Sequence, residues 1–226
     1  MVYVILSFLV ILCIYGPSIW VRYVLKKYSK PIDDMPGTGS ELAAHLIERF
    51  ELKDVKVQPA GPGENYYAPR EKIVALSPEV YDGKSLTAVS VAAHEVGHAI
   101  QFCKEEPISK LREKYLGSAF VFKRIGLYIL MAIPFITLFT KNPFILLVGG
   151  IIGVLTMLAS VLMYVAILPE EYDASFKKAL PILKEGYLPD QYIPAASRIL
   201  KACALTYVAA ALSDILNLWR WFRLIR

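Results

Sequence analysis

Two histidines and a glutamate stand close together in the segment His94-Glu95-Val96-Gly97-His98. On a helix, residues four positions apart lie on one face, so both imidazoles could bind the same metal ion. Glu95 is rotated by about 100° from His94 around such a helix, which removes it from the ligand set but leaves it within reach of a water molecule beside the metal. The pattern therefore predicts a Zn²⁺ site with His94 and His98 as ligands and Glu95 as the general base of a hydrolytic reaction.

A third metal ligand must come from another segment, because a catalytic zinc site has three protein ligands and one open position. The chain has three histidines, and the one outside the pattern is His45. Cys103 follows His98 by five residues and falls roughly on the far side of the same helix. The competing interpretation of the pattern is a pair of core or surface histidines that bind no metal.

An acidic cluster in residues 168–175, Leu-Pro-Glu-Glu-Tyr-Asp-Ala-Ser, offers better candidates for the third ligand. A carboxylate from this cluster would complete a set of two histidines and one acid, which is a known catalytic zinc set. The cluster also stands at the start of a predicted helix, where acids are stabilising without any metal. Spacing alone does not distinguish Glu170, Glu171 and Asp173.

The elements around the histidine pattern combine helices with short strands. Ser85 can cap a helix from about Leu86 to Phe102, and Ser40 can cap a helix over residues 41–50. The segments DVKVQP and EKIVALS have strand patterns and are separated by the loop AGPGENYYAPR. The run KIVAL could be an edge strand that receives a substrate backbone by strand addition.

The chain is also expected to enter a membrane. It is 56% hydrophobic and 20% charged, which is too apolar for an ordinary soluble domain and too charged to lie wholly in lipid. Residues 1–21 form an apolar run of the length that crosses a bilayer. Because Arg22, Lys26 and Lys27 follow this run rather than precede it, a permanent anchor is favoured over a cleaved signal peptide.

A second apolar region is predicted to form a helical hairpin. Residues 125–140 and 143–168 are apolar segments joined by a short polar turn. Gly149 and Gly153 would let a neighbouring helix approach closely. Basic residues gather before and after the hairpin, whereas its tip carries only Lys141, which favours a cytoplasmic position for both of its ends.

The C-terminal segment, residues 200–226, is harder to assign. It is largely apolar, contains Asp214 and ends with Arg220, Arg223 and Arg226. It could span the membrane, lie at its surface or cover the domain. A crossing would place the arginines outside, against the charge rule, so an interfacial or re-entrant helix is favoured.

Charge and cysteine content argue against two other classes of protein. The net charge is +5, but the basic residues lie beside apolar segments, where they fit a role in membrane orientation better than nucleic-acid binding. The three cysteines, Cys13, Cys103 and Cys203, are widely spaced and odd in number. We therefore expect no nucleic-acid partner, no disulfide framework and a reducing compartment.

Three separated segments resemble one known family. EKIVALSPEVYDGKSLTAVSVAAHEVGHAIQ, LPEEYDAS and LTYVAAAL occur in the order seen in the YugP-type family of membrane zinc metallopeptidases, and the resemblance covers nearly the whole chain. That family is similar to the wider gluzincin group, which includes the HtpX membrane proteases and in which a downstream glutamate is the third zinc ligand. The resemblance implies that this ligand is Glu171. Where the family has His-Tyr-Asp-Pro, this chain has Tyr66-Tyr67-Ala68-Pro69, so roles of the first and third positions are not carried over.

A hydrolase of this kind also needs a hydrogen-bond donor for the charge that develops on the carbonyl oxygen. Tyr66, Tyr67 and Tyr172 are candidates because a phenol can donate to that oxygen, and we select Tyr67 as the candidate oxyanion stabiliser. Since the chain has 14 tyrosines, a purely structural role is the competing interpretation for each of them.

The predicted fold class is α+β, mostly α: a small zincin-like soluble domain, with a short sheet and the HExxH helix, is attached to transmembrane helices. The predicted parts are an N-terminal transmembrane anchor in 1–21, the first part of the domain in 31–124, a transmembrane hairpin in 125–168, the second part of the domain with the third ligand in 169–199, and an apolar C-terminal helix in 200–226, which is membrane-associated or covers the domain.

These expectations together predict a multi-pass protein of the cell membrane that contacts the lipid bilayer, holds Zn²⁺ on the cytoplasmic side and hydrolyses peptide bonds of membrane or membrane-proximal proteins. One alternative is an intramembrane site-2-type protease, although residues 86–100 are short for a span and charged residues flank them closely. The other is a non-catalytic, zinc-stabilised membrane scaffold, in which a fourth protein ligand such as His45 would close the site.

Overall fold

The computed structural model describes residues 2–215, which are mostly helical with one small sheet, as the predicted fold class requires. The helices are α1 (Val2–Lys27), α2 (Gly39–Arg49), α3 (Pro78–Tyr81), α4 (Leu86–Cys103), α5 (Lys110–Thr140), α6 (Pro143–Tyr172), α7 (Leu180–Ile182) and α8 (Ile193–Ile215). The strands are β1 (Lys56–Pro59), β2 (Tyr66–Ala68) and β3 (Ile73–Leu76). Two π-helical segments, Asp173–Ala179 and Leu183–Tyr187, flank α7, and short 3₁₀ turns cover Pro107–Ser109 and Asp190–Tyr192.

The chain divides into two compact units. The helical unit comprises the described residues of 1–18, 111–167 and 207–226. The α+β unit comprises Ile19–Lys110 and Leu168–Thr206, and it contains the sheet, α4 and the first π-helical segment. The domain boundaries given above remain predictions.

The sheet of the α+β unit has the strand order β1-β3-β2. Its central strand β3 pairs in parallel with β1, with Val74 opposite Val57, and antiparallel with β2, with Val74 opposite Tyr67. The prediction that KIVAL forms an edge strand is therefore wrong. The strand that covers its second side, β2, has only three residues and lies in a segment that Gly and Pro mark as a loop, so its pattern is too short to predict.

The helices that frame the sheet start at local capping signals. The hydroxyl of Ser85 accepts a hydrogen bond from the Ala88 N–H, which confirms the predicted start of α4. Helix α2 is capped by Thr38 instead of Ser40. The Thr38 hydroxyl accepts from the Glu41 N–H, and the Glu41 carboxylate accepts from the Thr38 N–H, so two orphan backbone donors are satisfied reciprocally.

The helical unit contains most of α5 and of α6. The two helices are joined at Lys141 and Asn142, as predicted, but α5 begins at Lys110, well before residue 125. The two helices approach closely at glycines. A Cβ atom added to Gly126 would lie 2.9 Å from the Gly153 carbonyl oxygen, and one added to Gly149 would collide with Ile133. Gly149 and Gly153 therefore do permit a close helix–helix approach.

Three helical stretches among the described residues are long and apolar enough to cross a membrane: Pro107–Thr140, Pro143–Tyr187 and Asp190–Ser213. Helix α1 covers the predicted anchor in residues 1–21, and its crossing of a membrane remains a prediction. The third stretch overlaps the predicted C-terminal segment 200–226, so the spanning and the interfacial interpretations of that segment both remain predictions. Residues 216–226, with the three arginines that favoured the interface, lie outside the described residues.

Candidate metal centre

Helix α4 is buried along almost its whole length, from Leu86 to Gln101. Several of its residues are small, including Ala92, Ala93 and Gly97, which lets neighbouring backbone approach it closely. Its polar side chains are consequently enclosed, and enclosed polar groups need partners.

Two histidines of α4 meet one carboxylate from the end of α6. The Nε2 atoms of His94 and His98 lie 3.4 Å and 3.3 Å from the same atom, Glu171 Oε2. The candidate ligand atoms of the three residues all lie within 4.8 Å of one another, and all three residues are buried. His94, His98 and Glu171, which we call the metal group, could therefore bind a metal ion. The two imidazole rings are 4.7 Å apart and nearly perpendicular, which suits convergence on one point.

The other candidates for the third ligand lie elsewhere. His45 is exposed on α2, and Cys103 is exposed at the C-terminal end of α4. The Glu170 carboxylate is 4.0 Å from His98 Nδ1, the nitrogen that faces away from Glu171. Asp173 accepts a hydrogen bond from the side chain of Gln101. Of the acids in the cluster, the structure therefore brings Glu171 to both imidazoles, as the family resemblance implied.

A π-helical segment begins two residues after Glu171 and keeps the next acid of the cluster, Asp173, buried. Within residues 170–175, Tyr172 is exposed and the other five residues are buried. A regular α-helix rotates by about 100° per residue and would turn more of these side chains to solvent. The wider turn of Asp173–Ala179 keeps successive side chains on the side that faces α4. A Cβ atom on Gly97 would lie 2.7 Å from the Ala174 carbonyl oxygen, so this approach requires the glycine.

The Nδ1 atoms of both histidines have polar partners that the sequence analysis did not identify. His94 Nδ1 is 3.0 Å from Ser175 Oγ, and His98 Nδ1 is 3.0 Å from Gln101 Oε1. Gln101 follows His98 by three residues and Ser175 follows Glu171 by four, so helical periodicity offered a signal for both. Such partners orient ligand imidazoles in metal sites.

The residues present fit a zinc ion. Within residues 2–215, Glu171 Oε1 and Glu95 Oε2 are buried and have no hydrogen-bond partner. Buried carboxylate oxygens normally have partners, so both atoms are available to a further polar species such as a metal ion or a water molecule. Two imidazole nitrogens and one carboxylate are a donor set that Zn²⁺ prefers in catalytic sites.

Tyr67 lies on β2 beside the C-terminal end of α4. Its hydroxyl is 3.9 Å from Cys103 Sγ, and its ring packs against Phe102. Burial raises the pKa of Tyr67, and the adjacent Cys103 adds to this effect, so the phenol stays neutral and can donate. Tyr67, Phe102 and Cys103 line a pocket of about 450 Å³. These contacts do not join the phenol to the metal group, and its role as oxyanion stabiliser remains a prediction.

The other two tyrosine candidates are more exposed than Tyr67. Tyr66 is 42% exposed on β2, and Tyr172 is 56% exposed and stacks on Phe176. An exposed phenol next to the metal group could turn towards a bound substrate, and Tyr172 directly follows Glu171 in the chain. The oxyanion donor therefore remains unassigned between these three tyrosines.

Comparison with known proteins gives the family. A family model described as "Putative neutral zinc metallopeptidase" matches residues 3–226. The chain is 34% identical over 211 residues to the protein named "Putative membrane protease YugP" from Bacillus subtilis (strain 168), with 91% of this chain and 90% of that protein covered. No solved structure matches the chain significantly. The resemblance noted in the sequence is thereby confirmed, and the chain belongs to this family of zinc metallopeptidases.

Proposed function

We propose that this protein is a membrane-anchored zinc metallopeptidase in which His94, His98 and Glu171 hold the metal and Glu95 is the general base. The observation that supports it most is the convergence of both histidine Nε2 atoms on Glu171 Oε2, within 3.4 Å. Membership of a zinc metallopeptidase family supports the same assignment. The α+β unit would then be a zincin-like domain of the gluzincin type.

Zinc, when bound, polarises the scissile carbonyl and lowers the pKa of water. Glu95 is buried directly after His94, and its Oε2 has no hydrogen-bond partner within residues 2–215, so it is available to accept a proton from the attacking water. The same carboxyl group would transfer this proton to the leaving amine nitrogen as the peptide C–N bond of the substrate breaks. Glu95 thereby serves first as base and then as acid.

The substrates we propose are membrane proteins or segments close to the bilayer. A protein with helices long enough to span a membrane keeps its catalytic domain near the membrane surface. The relative from Bacillus subtilis is named a membrane protease, which agrees with this substrate class. We further propose a multi-pass arrangement with the α+β unit on the cytoplasmic side, on the charge asymmetry of the sequence.

The intramembrane alternative required α4 to cross the bilayer. Helix α4 packs against α2, the sheet and the first π-helical segment inside the α+β unit. It also lies outside the three stretches of the described chain that could span a membrane. This packing disfavours a membrane-spanning α4.

The test compares the wild-type protein with Glu95→Gln, purified in detergent and assayed with fluorescein-labelled casein. Because the amide cannot accept the proton, we expect equal zinc content and a rate of hydrolysis lower by about 10²–10⁴-fold. Glu71→Gln, at an exposed position between β2 and β3, is the matched control and should retain the wild-type rate. Undiminished hydrolysis by Glu95→Gln would rule out the mechanism.

Native substrates can be sought with the same pair. In the proteomes of whole cells that produce either the wild-type or the Glu95→Gln protein, substrates should accumulate at full length only with the variant. A set of such proteins without membrane segments or membrane association would contradict the proposed substrate class.

A further inference from the structure

Each imidazole of the metal group is held at the nitrogen that faces away from Glu171. We propose that Ser175 and Asp173 are positioning residues that fix His94 and His98 as tautomers with the proton on Nδ1, with Asp173 acting through Gln101. The inference rests on the proposed function, because it concerns the residues that would present metal ligands. A histidine fixed in this way has a free lone pair on Nε2, the atom that points to Glu171 Oε2 in both cases.

The single hydrogen of the Ser175 hydroxyl determines the tautomer of His94. Ser175 Oγ lies 3.0 Å from the carbonyl oxygen of Leu200 and 3.0 Å from His94 Nδ1. A carbonyl oxygen can only accept, so the hydroxyl hydrogen is directed to Leu200. The second contact then requires that His94 Nδ1 carries a proton and donates a hydrogen bond to Ser175 Oγ. His94 Nε2 is left without a proton.

The orientation of the Gln101 amide determines the tautomer of His98. Gln101 Nε2 donates to the Glu170 carbonyl oxygen at 3.0 Å and to Asp173 Oδ2 at 2.9 Å. Both of these atoms accept only, so a flipped amide would set its own oxygen against two acceptors. In the orientation that remains, Gln101 Oε1 lies 3.0 Å from His98 Nδ1 and accepts a hydrogen bond from the Nδ1–H group. His98 Nε2 is also left without a proton.

Asp173 is held as a charged acceptor by two lysines. Its Oδ1 is 3.3 Å from Lys177 Nζ, and its Oδ2 is 3.6 Å from Lys178 Nζ. Lys178 also forms an ion pair with Glu106 at 2.8 Å. Hydrogen bonds to charged acceptors are stronger than those between neutral groups, so the ionised Asp173 holds the Gln101 amide firmly in one orientation.

The local fold brings the two positioning residues to α4 together with the ligand. Glu171 at the end of α6, and Asp173 and Ser175 in the first π-helical segment, are all buried, and each contacts a side chain of α4. In the sequence, Asp173 is a rival to Glu171 for the metal. The contacts instead give the two acids different tasks, since one faces both Nε2 atoms and the other holds the amide that faces His98 Nδ1.

The tautomers can be observed directly by NMR. The full-length protein is labelled with ¹⁵N-histidine, freed of zinc and studied in detergent micelles at about pH 8, where ordinary histidines are neutral. With three histidines in the chain, the spectrum is simple, and the exposed His45 can be identified through His45→Ala. We expect the two remaining rings to show a protonated Nδ1 and an unprotonated Nε2, whereas imidazole in water favours the opposite tautomer.

Substitutions test each positioning residue separately. Ser175→Ala should alter the His94 signals and leave those of His98, and Asp173→Ala should do the reverse. Each should weaken zinc binding by about 10–100-fold. Asp173→Asn keeps an oxygen that can accept from Gln101 and should restore part of the affinity, which a merely structural role of the side chain would not predict.

Matched controls are available in the same unit. Ser90 is fully buried on α4, and within the described residues its hydroxyl has no hydrogen-bond partner, so Ser90→Ala should bind zinc like the wild type. Asp54 is an exposed acid paired with Lys72, so Asp54→Asn should also leave zinc binding unchanged.

The proposal is overturned if either His94 or His98 carries its proton on Nε2 in the wild-type protein, or if folded Ser175→Ala and Asp173→Ala bind zinc like the wild type. If both variants fail to fold, the tautomers of the wild-type protein decide. A wild-type protein that binds no zinc would refute the proposed function, and the tautomers would still test this inference. Zinc binding with the opposite tautomers would refute this inference alone.

Discussion

Three buried side chains from distant parts of the chain converge at one point of the α+β unit. His94 is 4% exposed, and His98 and Glu171 are 1% exposed. Removing a carboxylate from water is costly unless it is paired or binds a metal, and a neutral imidazole compensates this cost poorly. A divalent cation between the three side chains would compensate it, which is the physical reason to interpret the group as a ligand set rather than as part of an ordinary core.

At the scale of single residues, replacing a histidine of the metal group should change zinc binding, whereas replacing the exposed His45 should not. We expect His98→Ala to lose zinc, because its Nε2 lies 3.3 Å from Glu171 Oε2, and His45→Ala to retain it, because His45 is exposed on α2. Metal analysis of the purified proteins after removal of excess zinc measures both. Loss of zinc in His45→Ala would favour the scaffold alternative, in which His45 closes the site.

The proposed ligands and the proposed base were predictable from the sequence to different degrees. His94, Glu95 and His98 follow from helical spacing, because they lie within one turn of a helix whose cap at Ser85 is also readable. The proposed third ligand does not follow from spacing, because it lies on a different helix, and the packing of that helix against α4 decides which acid meets the imidazoles. Family resemblance singled out Glu171 where periodicity left three acids equivalent.

At the scale of elements, the contact between α4 and the first π-helical segment determines the geometry of the metal group. Gly97→Ala should therefore disturb the site, because its Cβ atom would lie 2.7 Å from the Ala174 carbonyl oxygen, and a backbone atom cannot move aside alone. We expect weaker zinc binding and a loss of stability of about 1–3 kcal/mol.

Gly117→Ala is the matched control for this prediction. Gly117 lies in α5, and a Cβ atom there would meet nothing within 4 Å. Alanine has a higher helix propensity than glycine, so this variant should be as stable as the wild type or more stable. Thermal unfolding in detergent and zinc titration measure both variants. Equal zinc affinity in Gly97→Ala and Gly117→Ala would show that the close approach does not determine the site.

Other elements were predictable where a long pattern specifies them. The hairpin of α5 and α6 follows from two apolar segments around a polar turn. The cap of α2 was misplaced because Thr38 and Ser40 can both cap a helix, and only the reciprocal hydrogen bonds of Thr38 and Glu41 decide between them. β2 was missed because three residues are too few to show alternation, and with it the central position of β3 was missed.

At the scale of the whole molecule, the proposed arrangement in the membrane rests on charge rather than on fold. Basic residues stand in the first half of α5 and after α6, and the tip of the hairpin carries only Lys141. This asymmetry favours a cytoplasmic position for the segments before and after the hairpin. Since α4 precedes the hairpin and Glu171 follows it, both contributors to the metal group would lie on the same side of the membrane.

The exposed Cys103 tests this orientation. In a Cys13→Ser background, a membrane-impermeant maleimide should label Cys103 in inside-out vesicles and leave it unlabelled in intact cells. Cys203 is buried and should not react, so adding Cys103→Ser to the same background serves as the control for specific labelling. Labelling of Cys103 in intact cells would place the α+β unit on the outer side and contradict the proposed localisation.

The central claim is that one zinc ion is bound by two imidazoles and one carboxylate. X-ray absorption at the zinc edge, on the full-length protein loaded with one equivalent of zinc, tests it most directly. We expect nitrogen and oxygen neighbours at about 2.0–2.2 Å, two imidazoles in the outer-shell scattering and a changed spectrum in Glu171→Ala. Sulfur neighbours at about 2.3 Å, a third imidazole, or a spectrum unaffected by Glu171→Ala would contradict the account.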